Sequence, residues 1–453
     1  MKKQLLILAM IFAIIFTGCK KDKKSDSLAD TPYSQKTVTE TKADVEQTGV
    51  NVVNEIKLLD NEKGMEACVN LLSLSVKKEV VVVSNNNVLK ALKSYQGTKN
   101  VRTIFNALRA TGSDPVSIVD EFNKVKGIYN YNFITEDFDS IGASTNIVIN
   151  FPATKTDKDN KTLSGAFTVY VPQVKTGPFT YSNQQVNELP TSLSYDIKVN
   201  SVVGLSYQFT AAYDDKGIPS NITSTLTIGT FEFKSVFNYA TSASNVNFSI
   251  KHGTTTIIDI GGGVNGNFDK TNIENAYHYE YDTVYYGPGM YNVEKNKVID
   301  PDKVLTNANA HFQLMNIKLA GQVDFKDLYT NMNSIDDKEQ KGTITNSVAE
   351  NLRVALINKD MLLIVVYADN NTKIAQAEAY MKETVHTEPG GYSYTERNID
   401  FKMIFADKSK NSLDSYFQDG FKGLFDEIDS FINELNTKYG WSINPVDRPT
   451  ANS

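Results

Sequence analysis

The 453-residue chain has only two cysteines, Cys19 and Cys68, together with four histidines and one tryptophan. Two cysteines cannot form a disulfide framework, so the core must be stabilised by apolar burial. The histidines stand alone, without an H-x-x-x-H spacing or a cysteine cluster, and the sequence therefore predicts no metal site. Cys68 lies in an apolar helical segment, where we expect a small buried residue rather than a reactive thiol.

The chain also lacks an excess of positive charge, with 46 Lys and Arg against 53 Asp and Glu. Nucleic-acid phosphates bind dense basic surfaces, so this composition excludes a nucleic-acid partner. After residue 18 no apolar run reaches the length of about 20 residues that a membrane-spanning helix needs. The motifs G-x-S-x-G, H-E-x-x-H and C-x-x-C are missing. No carboxylate pair is singled out by position, so the sequence predicts neither an enzyme nor a cofactor.

The N-terminus carries the most specific signal in the chain. Lys2 and Lys3 precede an apolar run from Leu5 to Phe16, which is followed by Thr17-Gly18-Cys19 and then a lysine-rich stretch. A charged start, a short apolar core and a small residue before the cleavage point are typical of a secretory signal peptide.

The cysteine placed directly after Gly18 makes this segment resemble a bacterial lipoprotein signal, over residues 1–19 only. The resemblance implies that residues 1–18 are removed and that Cys19 carries the lipid anchor. The family usually has Leu where this chain has Phe16. Lys20 follows the cysteine, which resembles the pattern of outer-membrane sorting. The expected location is the bacterial outer membrane, with the periplasmic and surface faces both left open.

The mature chain divides into three segments by composition. Residues 19–42 are polar and predict a flexible tether behind the lipidated cysteine. Residues 43–127 contain four apolar stripes at helical spacing, which predict a helical domain. A short fifth helix is predicted at 116–125, with Asp114 as its N-cap and Pro115 at its first position.

Residues 128–453 predict a β-rich domain, because apolar and polar side chains alternate there over many successive segments. Helices are expected near 343–358 and 412–438, and a hairpin is expected from arms at 373–386 and 393–407. Strands without intervening helices predict an antiparallel meander, and so long a sheet must curl or pack on another layer.

The predicted fold class is therefore α+β: an N-terminal helical region, a long curved antiparallel sheet and a C-terminal helix packed on it. At the level of architecture only, this resembles the half-barrels of bacterial lipoprotein and lipid carriers.

Two short motifs suggest ligand sites but have simpler explanations. Gly261–Gly266 matches G-x-G-x-x-G, yet the residues after it, Asn267 to Asn272, do not begin like the helix that a dinucleotide site requires. A glycine-rich turn or a bulge in a hairpin explains it better. The run from Asp157 to Lys161 begins like a calcium loop but has lysine at a ligand position, which favours a turn.

A tyrosine-rich segment provides the candidate binding residues. In a strand, three tyrosines share one face, while His278, Glu280 and Asp282 share the other. The tyrosines could stack on sugar rings or on an apolar ligand, the polar face could hold a metal, or the segment could simply be a half-buried strand. The candidate ligand-binding residues are Tyr277, Tyr279, Tyr281, Tyr285 and Tyr286.

The sequence as a whole favours a membrane-anchored envelope lipoprotein that acts as a non-catalytic binding module for an apolar or glycan ligand. The alternative is an accessory subunit that docks on another envelope protein. The third hypothesis is a hydrolase whose acid pair is hidden among ordinary carboxylates. A binding module needs a concave pocket, an accessory subunit needs an exposed apolar patch, and a hydrolase needs two converging carboxylates in a cleft.

Overall fold

Strands dominate the molecule, as the alternating pattern predicts. The structure, a computed structural model, describes residues 28–76, 117–181, 184–287, 290–387, 391–412 and 422–439. Within these ranges it contains eight α-helices and nineteen strands, and seventeen of the strands belong to one large, mostly antiparallel sheet. The predicted mixed class with a long antiparallel sheet is therefore confirmed, whereas curvature and the packing of the last helix stay predictions.

The helices lie before, between and after the strands. They are α1 (Val38–Lys57), α2 (Lys63–Val76), α3 (Ile118–Val125), α4 (Lys155–Asp159), α5 (Lys270–Asn275), α6 (Phe325–Gln340), α7 (Asn346–Asp360) and α8 (Lys422–Tyr439). Short 3-10 helices occupy Leu28–Asp30, Leu58–Asn61 and Pro301–Lys303.

The strands fall into two groups along the chain. The first nine are β1 (Gly127–Asn132), β2 (Asp137–Gly142), β3 (Ile147–Phe151), β4 (Gly165–Val169), β5 (Gln173–Tyr181), β6 (Gln184–Val199), β7 (Val202–Tyr213), β8 (Pro219–Ile228) and β9 (Phe231–Ala240). The others are β10 (Ala243–His252), β11 (Thr255–Gly266), β12 (Tyr277–Gly287), β13 (Met290–Ile299), β14 (Leu305–Leu314), β15 (Ile317–Val323), β16 (Met361–Tyr367), β17 (Thr372–Thr387), β18 (Ser393–Ile404) and β19 (Lys410–Ser412).

The chain forms two units. The middle unit comprises Glu55–Asn238 and Phe248–Thr255, and the terminal unit comprises the residues before it together with Tyr239–Asn247 and Thr256 onward. This division crosses the expected boundary between residues 43–127 and 128–453. The reason is that α2 and α3 bury their apolar faces against strands of the middle unit and do not form a separate bundle.

The middle unit is an antiparallel meander through β6, β7, β8 and β9, with one parallel exception. β1 pairs antiparallel with β2 but parallel with β3. Side chains that face each other across the ladder pack together: Tyr195 opposes Tyr207, and their rings stack with centroids 4.9 Å apart. Such cross-strand aromatic pairs stabilise a sheet beyond the area that they bury.

The core of the middle unit lies between α2, α3 and the sheet, where Ala67, Leu74, Phe122, Ile147 and Ile197 are buried. The approach of α2 to β7 is unusually close, because Gly64 and Gly204 meet without side chains. Cys68 is half-buried on α2 and packs against this core, as expected, and burial raises the pKa of its thiol to about 11.

The terminal unit continues the antiparallel sheet from β14 through β19. Helices α6 and α7 form a pair over this sheet, and their shared core contains Met332, Ile335, Leu356, Ile357 and Ala379 of β17. The predicted hairpin is confirmed by the pairing of β17 with β18, and the predicted helix at 343–358 is α7.

Several local expectations need correction. The predicted tether, residues 19–42, overlaps α1, which begins at Val38. The N-cap of α3 is Ser117, whose side chain accepts a hydrogen bond from the Asp120 N–H. Asp114, Pro115 and two of the predicted helical stripes fall outside the described residues. The predicted helix at 412–438 is described from Lys422 to Tyr439 as α8.

Three further segments differ from their predicted form. The turn expected from Asp157 to Lys161 is in part the short helix α4, which starts with a capping box between Thr154 and Asp157. A helix does follow the glycine-rich motif, because Asp269 caps α5. Helix α6 was not predicted, and it lies within the segment 128–453 for which the sequence predicts a β-rich domain.

Candidate functional site

A cleft in the terminal unit is lined entirely by described residues. Its volume is about 670 Å³, within the range of ordinary small-molecule sites. The ends of β14, β15 and β16 form one side, and the start of α6 and the end of α7 form the other. The lining residues are Asn307, Ala308, Asn309, Gln322, Val323, Asp324, Asp327, Lys359, Asp360, Met361 and Leu362.

The sheet side of the cleft presents neutral polar groups. Asn309 of β14 pairs directly with Gln322 of β15, and Gln322 pairs with Leu362 of β16. Because directly paired residues point to the same face of a sheet, two amides and one apolar side chain lie in a row. The side chain of Asn307 accepts a hydrogen bond from Asn265 at 2.6 Å. This row offers both hydrogen-bond donors and acceptors to a ligand.

The helical side of the cleft is charged, and the antiparallel arrangement of α6 and α7 explains why. Asp324 is the N-cap of α6, and its carboxylate accepts the Asp327 N–H at 3.1 Å. The Asp324 N–H donates to the carbonyl of Asp360 at 2.8 Å. That bond ties the first turn of α6 to the last residue of α7, and it brings the two carboxyl groups of Asp327 and Asp360 together.

Lys359 bridges the two acids. Its Nζ lies 2.5 Å from Asp327 Oδ2 and 3.2 Å from Asp360 Oδ1. The three side chains differ sharply in exposure: Lys359 is 66% exposed, Asp327 is 40% exposed and Asp360 is 5% exposed. Asp360 Oδ2 is buried and receives no hydrogen bond from a donor in the described part of the chain.

The acid pair is electrostatically asymmetric. The hydrogen bond from Lys359, followed by one shared with Asp360, holds the pKa of Asp327 below its usual range. Burial raises the pKa of the Asp360 carboxyl, and the neighbouring Asp327 raises it further. The environment of the cleft thus shifts the pKa values of two neighbouring acids in opposite directions, through the ammonium of Lys359 for one and burial for the other. The cleft therefore presents two acidic side chains within reach of the same ligand atom.

The predicted tyrosine site lies elsewhere in the terminal unit. Tyr277 and Tyr279 belong to β12, which pairs with β13 as a separate two-stranded sheet. Both tyrosines are exposed, but Lys297 lies over the ring of Tyr277 at 4.0 Å and Lys295 lies over Tyr279 at 3.9 Å. These lysines occupy ring faces on which a sugar would otherwise stack.

The other three predicted tyrosines also belong to β12. Tyr281, Tyr285 and Tyr286 follow on the same strand, but their side chains lie outside the described part of the structure. On the opposite face of β12, His278 Nδ1 lies 3.2 Å from Asp300 Oδ1. In the described residues no group of three His, Cys, Asp or Glu side chains could hold a metal ion.

The glycine-rich motif has a structural role inside a strand. Gly261 to Gly266 lie in β11 and pair with β14, so the motif forms neither a hairpin turn nor a phosphate loop, and its register shifts only between Asn265 and Gly266. A Cβ atom on Gly261 would lie 2.3 Å from Asn247 Oδ1 and 2.7 Å from His311 Cε1. Glycine therefore leaves room for two polar side chains from the neighbouring strands.

Those two side chains hold a third. Asp259 accepts hydrogen bonds from Asn247 Nδ2 at 2.8 Å and pairs with His311 Nε2 at 3.0 Å. Burial favours the neutral form of the Asp259 carboxyl, but the bonds to His311 and Asn247 outweigh it and keep the pKa below its usual range. Among the described residues no hydroxyl or thiol is hydrogen-bonded to Asp259 or His311. The three side chains therefore form a polar cluster on the sheet without a nucleophile.

Sequence reasoning did not single out the cleft residues, although one signal was present. Asp324 precedes Phe325, Leu328, Met332 and Ile335, which follow helical spacing behind a good N-cap residue. That pattern predicts α6 and places Asp327 in its first turn. No comparable pattern in the sequence predicts that Asp327 lies close to Asp360.

Comparison with known proteins adds little to this picture. No protein-family model and no curated protein matches the chain. Among solved structures, the chain is similar to the crystal structure of a porin-like protein from Bacteroides uniformis, with 9% identity and a TM-score of 0.08. The match covers 53% of this chain and 96% of that one. So low a score carries no argument about fold or function.

The anchor residue predicted from the sequence, Cys19, lies outside the described residues. Across the described helices, none combines the length and the hydrophobicity that crossing a bilayer requires.

Proposed function

We propose that this protein is a lipid-anchored bacterial envelope protein that binds a hydroxyl-rich ligand of the glycan class without transforming it. The observation that supports this function is the lining of the cleft between α6, α7 and the sheet. Seven of the lining side chains carry an amide, a carboxyl group or an ammonium group. Glycan hydroxyls both donate and accept hydrogen bonds, and such a lining can satisfy both.

The lining also separates the two ligand classes that the sequence leaves open. An apolar ligand would leave Asp360 Oδ2 and the facing amides without hydrogen-bond partners, which costs free energy. The apolar members, Ala308, Val323, Met361 and Leu362, are a minority that suits the apolar faces of a sugar ring. A glycan therefore fits this cleft better than a lipid.

The hydrolase alternative has one observation in its favour, since two carboxyl groups converge in a cleft. The position of Lys359 argues against glycoside hydrolysis, in which the two acids flank the scissile bond and leave the space between them to the substrate. Here Lys359 Nζ lies 2.5 Å from Asp327 Oδ2 and 3.2 Å from Asp360 Oδ1, so it occupies that space.

The lipid anchor and the outer-membrane location are part of the same proposal and rest on residues 1–19. Growth with radiolabelled palmitate tests the anchor directly: the wild-type protein should take up label and sediment with outer membranes. The Cys19→Ser variant should lose both properties. Label retained in that variant would contradict the proposed attachment at Cys19.

We also propose the finer architecture, in which α8 packs on the curved sheet of the terminal unit. In support, Ile428, Phe431 and Ile432 share one apolar stripe of α8 and are half-buried. The Phe431→Asp variant should lose amide-exchange protection along α8, whereas Asp429→Asn should keep it. Equal protection in both variants would contradict the packing.

Native mass spectrometry on the full-length protein, extracted from its own membrane in mild detergent, tests the binding function. The whole chain is needed because Tyr33, in the predicted tether, forms a bridge with Lys373 of β17. A co-purifying glycan mass, or binding of soluble oligosaccharides by calorimetry, would support the proposal. A stoichiometric protein partner without any glycan would favour the accessory-subunit alternative instead.

A further inference from the structure

Lys359 holds the position between two of the acids of the cleft. Its ammonium group is the only group in the described residues that donates to both Asp327 and Asp360, at 2.5 and 3.2 Å. The rest of the side chain is not built into the fold, because it is 66% exposed. A long exposed lysine loses side-chain entropy when it is held in one position, so such contacts are weak and easily exchanged.

Asp360, in contrast, is built into the fold. The carbonyl of Asp360 accepts the Asp324 N–H at the start of α6, and the Asp360 side chain is only 5% exposed. Its Oδ2 has no donor in the described residues. A buried carboxyl oxygen without a donor is costly unless a ligand or water supplies one, so this position favours a group that can donate several hydrogen bonds.

A primary ammonium group meets that requirement, since it carries one positive charge and three donors. The neutral amides opposite, Asn309 and Gln322, match hydroxyl groups but not a second charge. The acids and the amides together favour an amino sugar over a simple polyamine, which would leave the amides without partners. A neutral sugar, in contrast, has no ammonium group that could replace Lys359 between the acids.

We propose that the cleft binds a glycan that carries a free amine, such as a deacetylated amino sugar, and that the ligand ammonium replaces Lys359 Nζ between Asp327 and Asp360. This inference rests on the proposed glycan-binding function and names its ligand class. Lys359 then acts as a competitor that occupies the cation position when no ligand is bound.

Isothermal calorimetry on the full-length protein in detergent tests this with two probes, a glucosamine tetramer and the N-acetylglucosamine tetramer. Removal of the internal competitor in Lys359→Gln should tighten binding of the glucosamine tetramer by about tenfold, as expected when a competing state that fills about nine-tenths of the sites is removed. The control Lys341→Gln removes a similarly exposed lysine, which pairs with Asp337 of α6 at 3.7 Å. It should leave the affinity unchanged.

Asp360→Asn completes the set, because it keeps the shape of the side chain and removes its charge. Binding of the glucosamine tetramer should weaken at least tenfold in this variant, in contrast to its tightening in Lys359→Gln. Unchanged or weaker binding in Lys359→Gln would overturn the inference. Equal binding of both tetramers, with no response to either variant, would overturn it and leave the proposed function standing. Binding of neither tetramer would overturn both.

Discussion

The close backbone approach of α2 to β7 at Gly64 predicts that a larger residue there lowers the stability of the middle unit. Gly64 lies in the first turn of α2, and a Cβ atom built there would stand 1.9 Å from the carbonyl oxygen of Gly204 and 2.9 Å from the Leu205 nitrogen. These are backbone atoms of β7, so no rotamer change can relieve the clash. In Gly64→Ala the helix has to move away from the sheet.

The size of the movement sets the expected cost. Carbon atoms pack at about 3.5–4.0 Å, so α2 has to shift by more than about 1 Å. The same helix buries Ala67 and Leu74 in the core of the unit, and their packing would be loosened. Overpacking of this kind typically costs about 1–3 kcal/mol. The better helix propensity of alanine returns at most about 1 kcal/mol, so we expect a net loss of stability.

Urea unfolding followed by far-ultraviolet circular dichroism, with amide exchange resolved to α2, checks the prediction. Gly142→Ala is the matched control, because a Cβ atom there meets nothing closer than the Ile128 side chain at 3.9 Å. We expect a lower unfolding midpoint and faster exchange in α2 for Gly64→Ala, and little change for the control. An unchanged or higher midpoint in Gly64→Ala would refute the close approach of α2 to β7.

Three other predictions follow from the middle unit. Because burial raises the pKa of the Cys68 thiol to about 11, iodoacetamide should modify it at pH 8 on the order of 100-fold more slowly than in the urea-unfolded protein, and fast labelling would contradict this. The hydrogen bond to Asp196 raises the pKa of Tyr170 to about 12. Its stabilisation is therefore complete below the unfolded-state pKa of about 10 and is lost as the pH rises from there towards 12. The difference in urea midpoint between wild type and Tyr170→Phe should shrink over that window, and a constant difference would disprove the link. Ser117→Ala should cost about 1 kcal/mol at the start of α3. Ser117→Asp should not restore it, because Glu188 accepts a hydrogen bond from the serine hydroxyl at 2.8 Å; recovery of stability in that variant would argue against the contact.

Local patterns predicted the elements whose side chains repeat with a clear period. The hairpin of β17 and β18 followed from alternation on both sides of a Pro-Gly-Gly turn, and α7 followed from apolar residues at helical spacing. The alternating segments that form β6, β7 and β9 were predicted for the same reason. In each case the buried face is long enough for period two or period 3.6 to stand out.

The prediction failed where polarity hides the period or where a short cap decides the structure. Helix α6 has a mostly polar surface and buries only Met332 and Ile335 among its described positions, so its signal was weak beside that of the sheet. Helix α5 is six residues long and depends on the Asp269 cap. The glycines of β11 were interpreted as a turn or a bulge, and only the bulge agrees with the register shift between Asn265 and Gly266. The sequence does not show that Asn247 and His311 need the space above Gly261.

The candidate site shows the same limit more strongly. The tyrosines of β12 were visible as a pattern in one strand, yet Lys295 and Lys297 of the paired strand cover two of their rings. The acids of the cleft carry no pattern, because Asp327 and Lys359 are 32 residues apart in the chain. They meet only when α6 and α7 pair antiparallel.

The sequence by itself was enough to predict the cellular location of this protein and the class of its fold. An N-terminal charge, a short apolar run and Cys19 are contiguous, and strand alternation is a local property, so neither requires knowledge of distant contacts. Tertiary structure decided where ligand chemistry can occur. A carboxyl pair with separated pKa values needs burial and a close neighbour, and both arise only when the start of α6, the end of α7 and the sheet come together around Asp360.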